Sequence, residues 1–367
     1  MTEPNRAWDA FLTRGLVAQR LVDNVPLDTR LLRIGTQSLP VTVNLNGQAS
    51  TSWVASLRNS YGPYARAETL IVPMPRSSQW LYRAASVFAE SLFALSGLSG
   101  GLFLNNWLLA TNLYSTRFDL ETIVAAREQL SHDYPDSPLI VRSLTAELHA
   151  PLLEALVREG FHLIPTRQVW LTGPLTSGDW RKHGDAKKDI ALEARCASSS
   201  EWVSGHTFSN RDFTQALDLY NALYREKYPQ HNPAYNESFF RIAVATGWLS
   251  LFGLRQQDQS LSGMVGIVAR DKVFATPVLG YDLSADKRLG LYRRLMLKAF
   301  TTVETAGGIL HCSAGAGSFK KQRGAHFAVE FAAVSGKNLP CYRRAALNSV
   351  TTMLWKLAVP YLQRNVL

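Results

Sequence analysis

Apolar positions recur along this chain at two periods, one helical and one strand-like. Over 119–131 and again over 145–160 they fall three and four residues apart, and Leu148, Leu152, Leu153, Leu156 and Val157 make one helical stripe that Gly160 ends. Asp119 stands where an N-cap belongs. Between the two helices Pro135, Asp136 and Pro138 break the chain ahead of a short apolar run at 139–141. Strands are predicted at 103–113 and 161–171. The order strand, helix, strand, helix, strand predicts an α/β layer. Residues 1–60 read as a helix followed by short strands. The most apolar stretch, 91–110, is interrupted by serine, glycine and asparagine. A membrane helix needs about 20 mostly apolar residues in one run, so a buried helix end, a turn and a core strand are expected there.

The second half repeats the theme. Residues 173–189 are rich in Gly, Ser, Lys and Asp and read as a linker. A short strand at 190–194 and helices at 211–227 and 236–246 follow. Three strands come next, at 248–255, 261–270 and 273–281, joined by tight polar turns. An amphipathic helix is predicted over 285–305, with Leu289, Tyr292, Leu295, Met296, Ala299, Phe300 and Val303 as its stripe. Gly307 and Gly308 end it, and strands are predicted at 309–313 and 327–334. No short-period repeat is present. Both halves nevertheless close in similar successions, which predicts two diverged copies of one fold.

Length supports that reading, because 367 residues exceed what one core normally serves. A hydrophobic content of 46% with 19% charged residues excludes a disordered chain. Cys196, Cys312 and Cys341 are odd in number and far apart, which excludes a disulfide framework and fits a reducing cytoplasm. Glu3 and Asp9 precede any apolar stretch, so no signal peptide is expected. The net charge of +10 becomes informative once it is located. Residues 283–367 hold thirteen Lys and Arg against Asp286, Glu304 and Glu330, while the rest of the chain holds 26 of each sign. So concentrated a field predicts a polyanionic partner: a nucleotide-bearing cofactor, tRNA or an acidic membrane surface. The plainer alternative is a solvated basic face.

Two helices, a three-stranded meander, a long helix, a strand and a closing strand is the element order of the GNAT acyltransferases. The second half resembles that family over about 210–333, and 60–172 resembles it more faintly. The segment LGYDLSADKRLGLYRR at 279–294 looks like the family's donor-binding segment. In these enzymes a loop of the form Arg/Gln-x-x-Gly-x-Gly/Ala opens the long helix, and its backbone N–H groups receive the pyrophosphate of acyl-CoA. Lys287 and Gly290 match the basic and first glycine positions, while Tyr292 stands where Gly or Ala is usual. Two such halves without a clean phosphate loop are similar to the Fem-like branch, whose duplicated domains take the acyl group from aminoacyl-tRNA.

The resemblance implies an α/β (α+β) fold of two tandem GNAT-like domains, each a mixed, mostly antiparallel sheet flanked by helices. Residues 1–172 are the degenerate domain, with an acceptor or scaffold role; 173–189 are the linker; 190–367 are the acyltransferase domain. The activity implied is N-acyl transfer from acyl-CoA to an amine of a small molecule or amino acid. A Fem-like transferase using aminoacyl-tRNA and a non-catalytic double-GNAT binding module are the alternatives.

On that fold the donor is expected at Lys287, Arg288, Gly290, Leu291, Tyr292 and Arg293. The parting of the fourth and fifth strands makes the acyl slot, which implies Tyr281, Asp282, His311 and Ser313 as catalytic. Tyr281 is expected to protonate the leaving group, His311 or Asp282 to take the amine proton, and Ser313 to hydrogen-bond either partner. Glycine and serine at 313–318, followed by Lys320, Lys321 and Arg323, fit an anion-binding turn for the substrate. The segment is no Walker A loop, since GxxxxGK[ST] fails at Phe319, and its small residues also suit a plain tight bend. Tyr228, His231 and Asn232 lie on the loop that borders the acceptor pocket in GNAT folds. No metal is expected: His311 and Cys312 are neighbours on a strand and point to opposite faces, and the eight histidines lack zinc-site spacing. A surface helix at 353–367 ranks last as a membrane element because Pro360 interrupts it, and no integral membrane segment is expected.

Overall fold

A computed structural model describes residues 3–45, 52–68, 76–227, 231–364 and 366. The first half contains α1 (Glu3–Phe11), β1 (Asp28–Ile34), β2 (Gln37–Asn44), the single turns α2 (Leu57–Asn59) and α3 (Ala65–Glu68), α4 (Arg76–Leu95) and β3 (Gly101–Leu104). It continues with α5 (Leu120–Asp133), β4 (Leu139–Thr145), α6 (Ala146–Arg158) and β5 (Phe161–Pro174). The second half contains α7 (Gly184–Cys196), β6 (Ser200–Ser204), α8 (Asn210–Asn221), α9 (Glu237–Ala245), β7 (Ser250–Gln256), β8 (Leu261–Arg270) and β9 (Val273–Tyr281). It closes with α10 (Leu291–Ala306), β10 (Ile309–His311), α11 (Gly317–Lys321), β11 (His326–Ser335) and α12 (Cys341–Arg364).

Local chemistry sets the helix starts. The Asp119 carboxylate accepts the Thr122 N–H at 2.9 Å and opens α5. Ser209 and Asp212 form a reciprocal capping box at α8, and Asn236 caps α9. The helix expected from 285 starts later. Asp286 instead caps a 3-10 turn over Lys287–Leu289, and Gly290, at φ +54°, separates that turn from α10. Two expected strands are corrected. Residues 190–194 lie inside α7, where Ala186, Asp189 and Leu192 face inward at helical spacing, so the short apolar alternation was a fragment of a helix. The strand expected over 103–113 stops at Leu104; Asn105 (φ +52°) and Leu108 (φ +57°) bend the chain into a packed loop. Residues 173–189, expected as a linker, carry the end of β5, two 3-10 turns and the first turns of α7.

All eleven strands form one sheet, in the order β1-β2-β3-β4-β11-β5-β10-β9-β8-β7-β6. Each half contributes one parallel pair, β3 with β4 and β9 with β10. At the centre the halves exchange closing strands. β5 leaves the first half to pair with β10, and β11 leaves the second to pair with β4. The exchanged strands also pair with each other, from His326↔Leu171 to Ser335↔Phe161. Pulling the halves apart would bare the edges of both central strands, so each half completes the other's sheet. A mixed core seals the join. Phe11 stacks on Trp248 at 3.9 Å, and Trp8 meets Trp107 edge-on at 4.4 Å. Buried rings of this size each stabilise by about 2–3 kcal/mol through area alone.

Candidate active site

The two parallel pairs are short, and each opens into a fork. In the second half β9 and β10 run together only through Ile309↔Val273, Leu310↔Phe274 and His311↔Ala275. β9 then continues to Tyr281 against β8 alone. That free edge is six residues long, about 20 Å at 3.3 Å per residue. On the other prong the chain turns sharply: Ser313, Gly315 and Ala316 all have positive φ, at 58°, 75° and 50°. Lys320 holds this turn by donating from Nζ to the carbonyls of Ser313 (3.2 Å) and Ala314 (2.8 Å). Burial pulls the Lys320 ammonium down to about 8.

The free edge leads to the start of α10. Its N-cap is Gly290, with no side-chain cap, so the first-turn N–H groups lack the acceptor that Asp119 supplies at α5. Arg294 is the first residue to donate within the helix, to the Gly290 carbonyl. A Cβ on Gly290 would lie 2.5 Å from Leu192 Cδ2, and the positive φ independently disfavours a side chain. Lys287 and Arg288 are exposed beside this opening, and Arg288 pairs with Asp286. Leu291 is buried. Arg293 pairs with Asp189 at 2.5 Å, which also takes Arg323, so both arginines tie α7 to the second half's core. Tyr292 packs its ring on Phe319 of α11 at 4.7 Å and near Tyr281 at 6.2 Å.

His311, at the fork's vertex, is 1% exposed. Its Nδ1 accepts the Ser313 N–H at 3.1 Å. Burial drives its pKa down to about 3, so the ring is neutral near pH 7. With Nδ1 accepting, the proton sits on Nε2. Among the described residues Nε2 has no partner. The Ser313 hydroxyl meets Thr111 Oγ1 at 3.3 Å, from the first half's packed loop.

A second buried cluster adjoins the vertex. Glu330 on β11, 2% exposed, accepts from Arg167 Nε (3.0 Å) and Nη2 (2.8 Å) and from Thr166 Oγ1 (3.0 Å). Burial pushes the Glu330 carboxyl up, but the Arg167 and Arg142 charges outweigh it and hold the group below its usual range. Arg142, on β4, donates from Nη1 to Val54 O (2.9 Å) and Asn106 Oδ1 (3.1 Å), while its Nη2 has no partner among the described residues. Burial lowers Arg142 to about 10. The Trp53 ring lies against both guanidinium groups, at 5.1 Å from Arg142 and 4.5 Å from Arg167. Together with Leu57, Ser60 and Ser143 these residues line a narrow cleft with room for about one water molecule, 10 Å³. Arg167 also donates to Ala110 O at 2.7 Å, beside Thr111, which joins cleft to fork.

The expected site residues therefore divide into groups. His311 and Ser313 sit together at the vertex. Tyr281 and Asp282 lie at the far end of the free edge, and Asp282 is engaged in its own turn, accepting the N–H (2.8 Å) and hydroxyl (2.6 Å) of Ser284. Lys320 and Arg323 bind the protein's own carbonyl and carboxylate groups, and Lys321 is exposed. His231 and Asn232 reach the cleft's edge: the His231 carbonyl accepts the Trp53 N–H at 3.2 Å, and Asn232 Oδ1 accepts from the Trp53 indole at 3.2 Å. Tyr228 lies outside the described residues. Trp53, Arg142, Arg167 and Glu330 carry no motif. Their signal was a charged residue inside each of three strands that are otherwise largely buried, where charges are rare unless paired.

Two halves, each with a parallel fork in a mostly antiparallel sheet and an exchanged closing strand, define the double-domain form of the GNAT fold, and this chain has it. No protein-family model and no curated protein matches the sequence. Among solved structures, the chain is similar to the C-terminal domain of a candidate lysylphosphatidylglycerol synthetase from Agrobacterium fabrum, at 11% identity and TM-score 0.51, covering 96% of both chains. It also overlaps L-PGS from Bacillus licheniformis (13% identity, TM-score 0.44, 63% of this chain and 76% of that one). For FemX the values are 8% identity and TM-score 0.45, with 58% and 76% covered. Identities this low establish the fold alone. Among the described residues no helix is long and apolar enough to cross a membrane, and no group of three or more His, Cys, Asp and Glu is placed to hold a metal.

Proposed function

We propose that the protein is an N-acyltransferase whose donor binds the second half and whose amine acceptor approaches the His311 vertex from the side where the two halves meet. The observation that carries this is the uncapped start of α10, set at one end of the free β9 edge, with the unpartnered His311 Nε2 at the other. The anionic part of the donor docks on the N–H groups of 291–293, with Lys287 and Arg288 adding charge. The acyl arm lies along 276–281, flanked by Tyr281 and Tyr292. The acyl carbon is held near the vertex, where the amine nitrogen attacks it. The bond from the acyl carbon to the donor's sulfur or oxygen breaks, the amine sheds a proton, and the leaving group gains one.

His311 acts here as a neutral hydrogen-bond donor to the oxyanion. A ring with its pKa near 3 is a poor acceptor for the amine proton, so the base role expected of it gives way to this one. Ser313, whose hydroxyl accepts from Thr111 at 3.3 Å, relays the amine proton to the leaving group. Trp53, His231 and Asn232 border the acceptor's path.

Acyl-CoA is the first donor to try. Aminoacyl-tRNA is second, favoured by the basic excess of 283–367, although Arg293, Lys320 and Arg323 of that stretch are engaged within the protein. The test incubates the protein with acetyl-CoA or aminoacyl-tRNA and a panel of amines at two salt concentrations, following thiol release and loss of the aminoacyl ester. Turnover of either donor supports transfer. A tRNA donor should also show binding that falls steeply with salt, because phosphate contacts release counterions. Absence of binding and turnover with both would overturn the reading. If the role of His311 is right, His311→Phe lowers turnover by about 10²–10³-fold and leaves donor affinity unchanged.

A further inference from the structure

We propose that the outward face of α4 is a docking surface for an anionic lipid membrane. Trp80, Val87, Phe88 and Leu95 are 73%, 52%, 57% and 57% exposed. With the exposed Ala84 they fall at i, i+4, i+7, i+8 and i+15, an apolar stripe on one helix face that Ser91 interrupts at i+11. The opposite side already does the usual work of an amphipathic helix, burying Ser86, Ala89 and Phe93 against the protein. The helix is thus apolar on both faces. Large aromatic and aliphatic side chains in one outward stripe mark an interaction site rather than ordinary surface scatter.

Charge identifies the occupant. The one acidic residue of α4, Glu90, is turned inward and held by Arg58 (3.1 Å) and Arg66 (2.6 Å). Arg83 is exposed on the same helix. α12 packs beside α4 through Leu347, Val350 and Leu354, and it carries Arg343, Arg344, Lys356 and Arg364 with no acidic residue. Arg343 lies against Gly97, just beyond the end of α4. α12 also exposes Tyr342, Leu357 and Tyr361. A second copy of this chain docking two-fold on the stripe would set these basic residues against themselves. An anionic bilayer surface accepts both the apolar stripe and the basic flank.

α4 would lie in the interface rather than span it. α12 runs through Pro360, but Leu354, Val359 and Leu362 are buried, so α12 serves as a flank rather than as the inserting element.

The experiment is co-sedimentation of the full chain with vesicles of phosphatidylcholine alone and of phosphatidylcholine and phosphatidylglycerol at 3:1, with thermal unfolding and analytical ultracentrifugation alongside. The expected result is binding to the anionic vesicles alone. Trp80→Ser combined with Phe88→Ser should weaken it at least tenfold with an unchanged Tm, since both side chains are exposed. Arg344→Glu combined with Lys356→Glu should weaken it too. Equal binding to both vesicles, no binding, or binding indifferent to the α4 pair would overturn the proposal. So would a concentration-dependent dimer that the α4 pair abolishes.

Discussion

The two forks of the sheet are built alike and finished differently. In the first half the chain leaving β3 forms a packed loop over 105–119: Trp107, Leu109 and Leu113 are buried in the core shared with the second half, Asn112 donates to Asn106, and Asn105 accepts from the Trp107 indole. The helix that follows, α5, has its Thr122 N–H taken by the Asp119 carboxylate, with Glu121 adding a second negative charge. In the second half the chain leaving β9 needs only 282–290, stays at the surface, and delivers α10 with a bare glycine cap and basic neighbours. Similar topology has produced one helix start capped by a carboxylate and one without a side-chain cap. The lesson is that two copies of one fold can differ most in how the helix after the parallel pair begins.

Joining the forks is the seam of Glu330, Arg167 and Arg142, and breaking it should have the largest effect. Glu330→Gln leaves two buried guanidinium groups without their counter-charge and should cost about 3–5 kcal/mol in denaturant unfolding. A loss under 1 kcal/mol would show that the seam is not an ionic unit. Next comes the contrast of the helix starts. Gly290→Val, which meets both a positive φ and Leu192, should lower donor affinity at least about 100-fold, a loss near 2.7 kcal/mol by titration. Its counterpart, Asp119→Ala, should cost about 1 kcal/mol of stability and leave donor affinity alone. If Asp119→Ala instead changed donor binding, the assignment of roles to the halves would be reversed.

The vertex gives a pH signature. His311 and His149 are held neutral by burial, at about 3 and about 4 against an ordinary 6.5. Their folded values are depressed, so their contribution is intact above pH 6.5. It is lost as pH falls toward 4, while the unfolded chain takes up protons that the folded one refuses. Stability should drop over that window with a slope approaching two protons, and His311→Asn should reduce it by one, about 1.4 kcal/mol per pH unit. An unaltered slope would place His311 in contact with water. The smallest effect is expected at the exposed Arg288: Arg288→Ala should leave Tm unchanged and weaken donor binding about threefold, within the range of a surface charge near a helix end.

The meander, α5, α8, α9 and the body of the long helix were legible because each writes its period into contiguous sequence. The exchange of β5 and β11 was not, since pairing partners 164 residues apart, such as Thr166 and Glu330, leave no local trace. His311 and Ser313 were reachable from strand order. Trp53 and the seam were not placed, because that cluster is assembled from one residue on each of several strands and a loop. Lys320 and Arg323 show the converse. A basic run after glycines reads as a ligand clamp, yet here Lys320 holds the turn itself and Arg323 pairs with Asp189 of α7.

The most direct test of the open fork is amide hydrogen exchange with and without saturating donor, acetyl-CoA or aminoacyl-tRNA. The account predicts protection at 291–293 and in the 313–316 turn, with 120–122 unchanged. Protection at 120–122, or none at 291–293 under saturating donor, would contradict it.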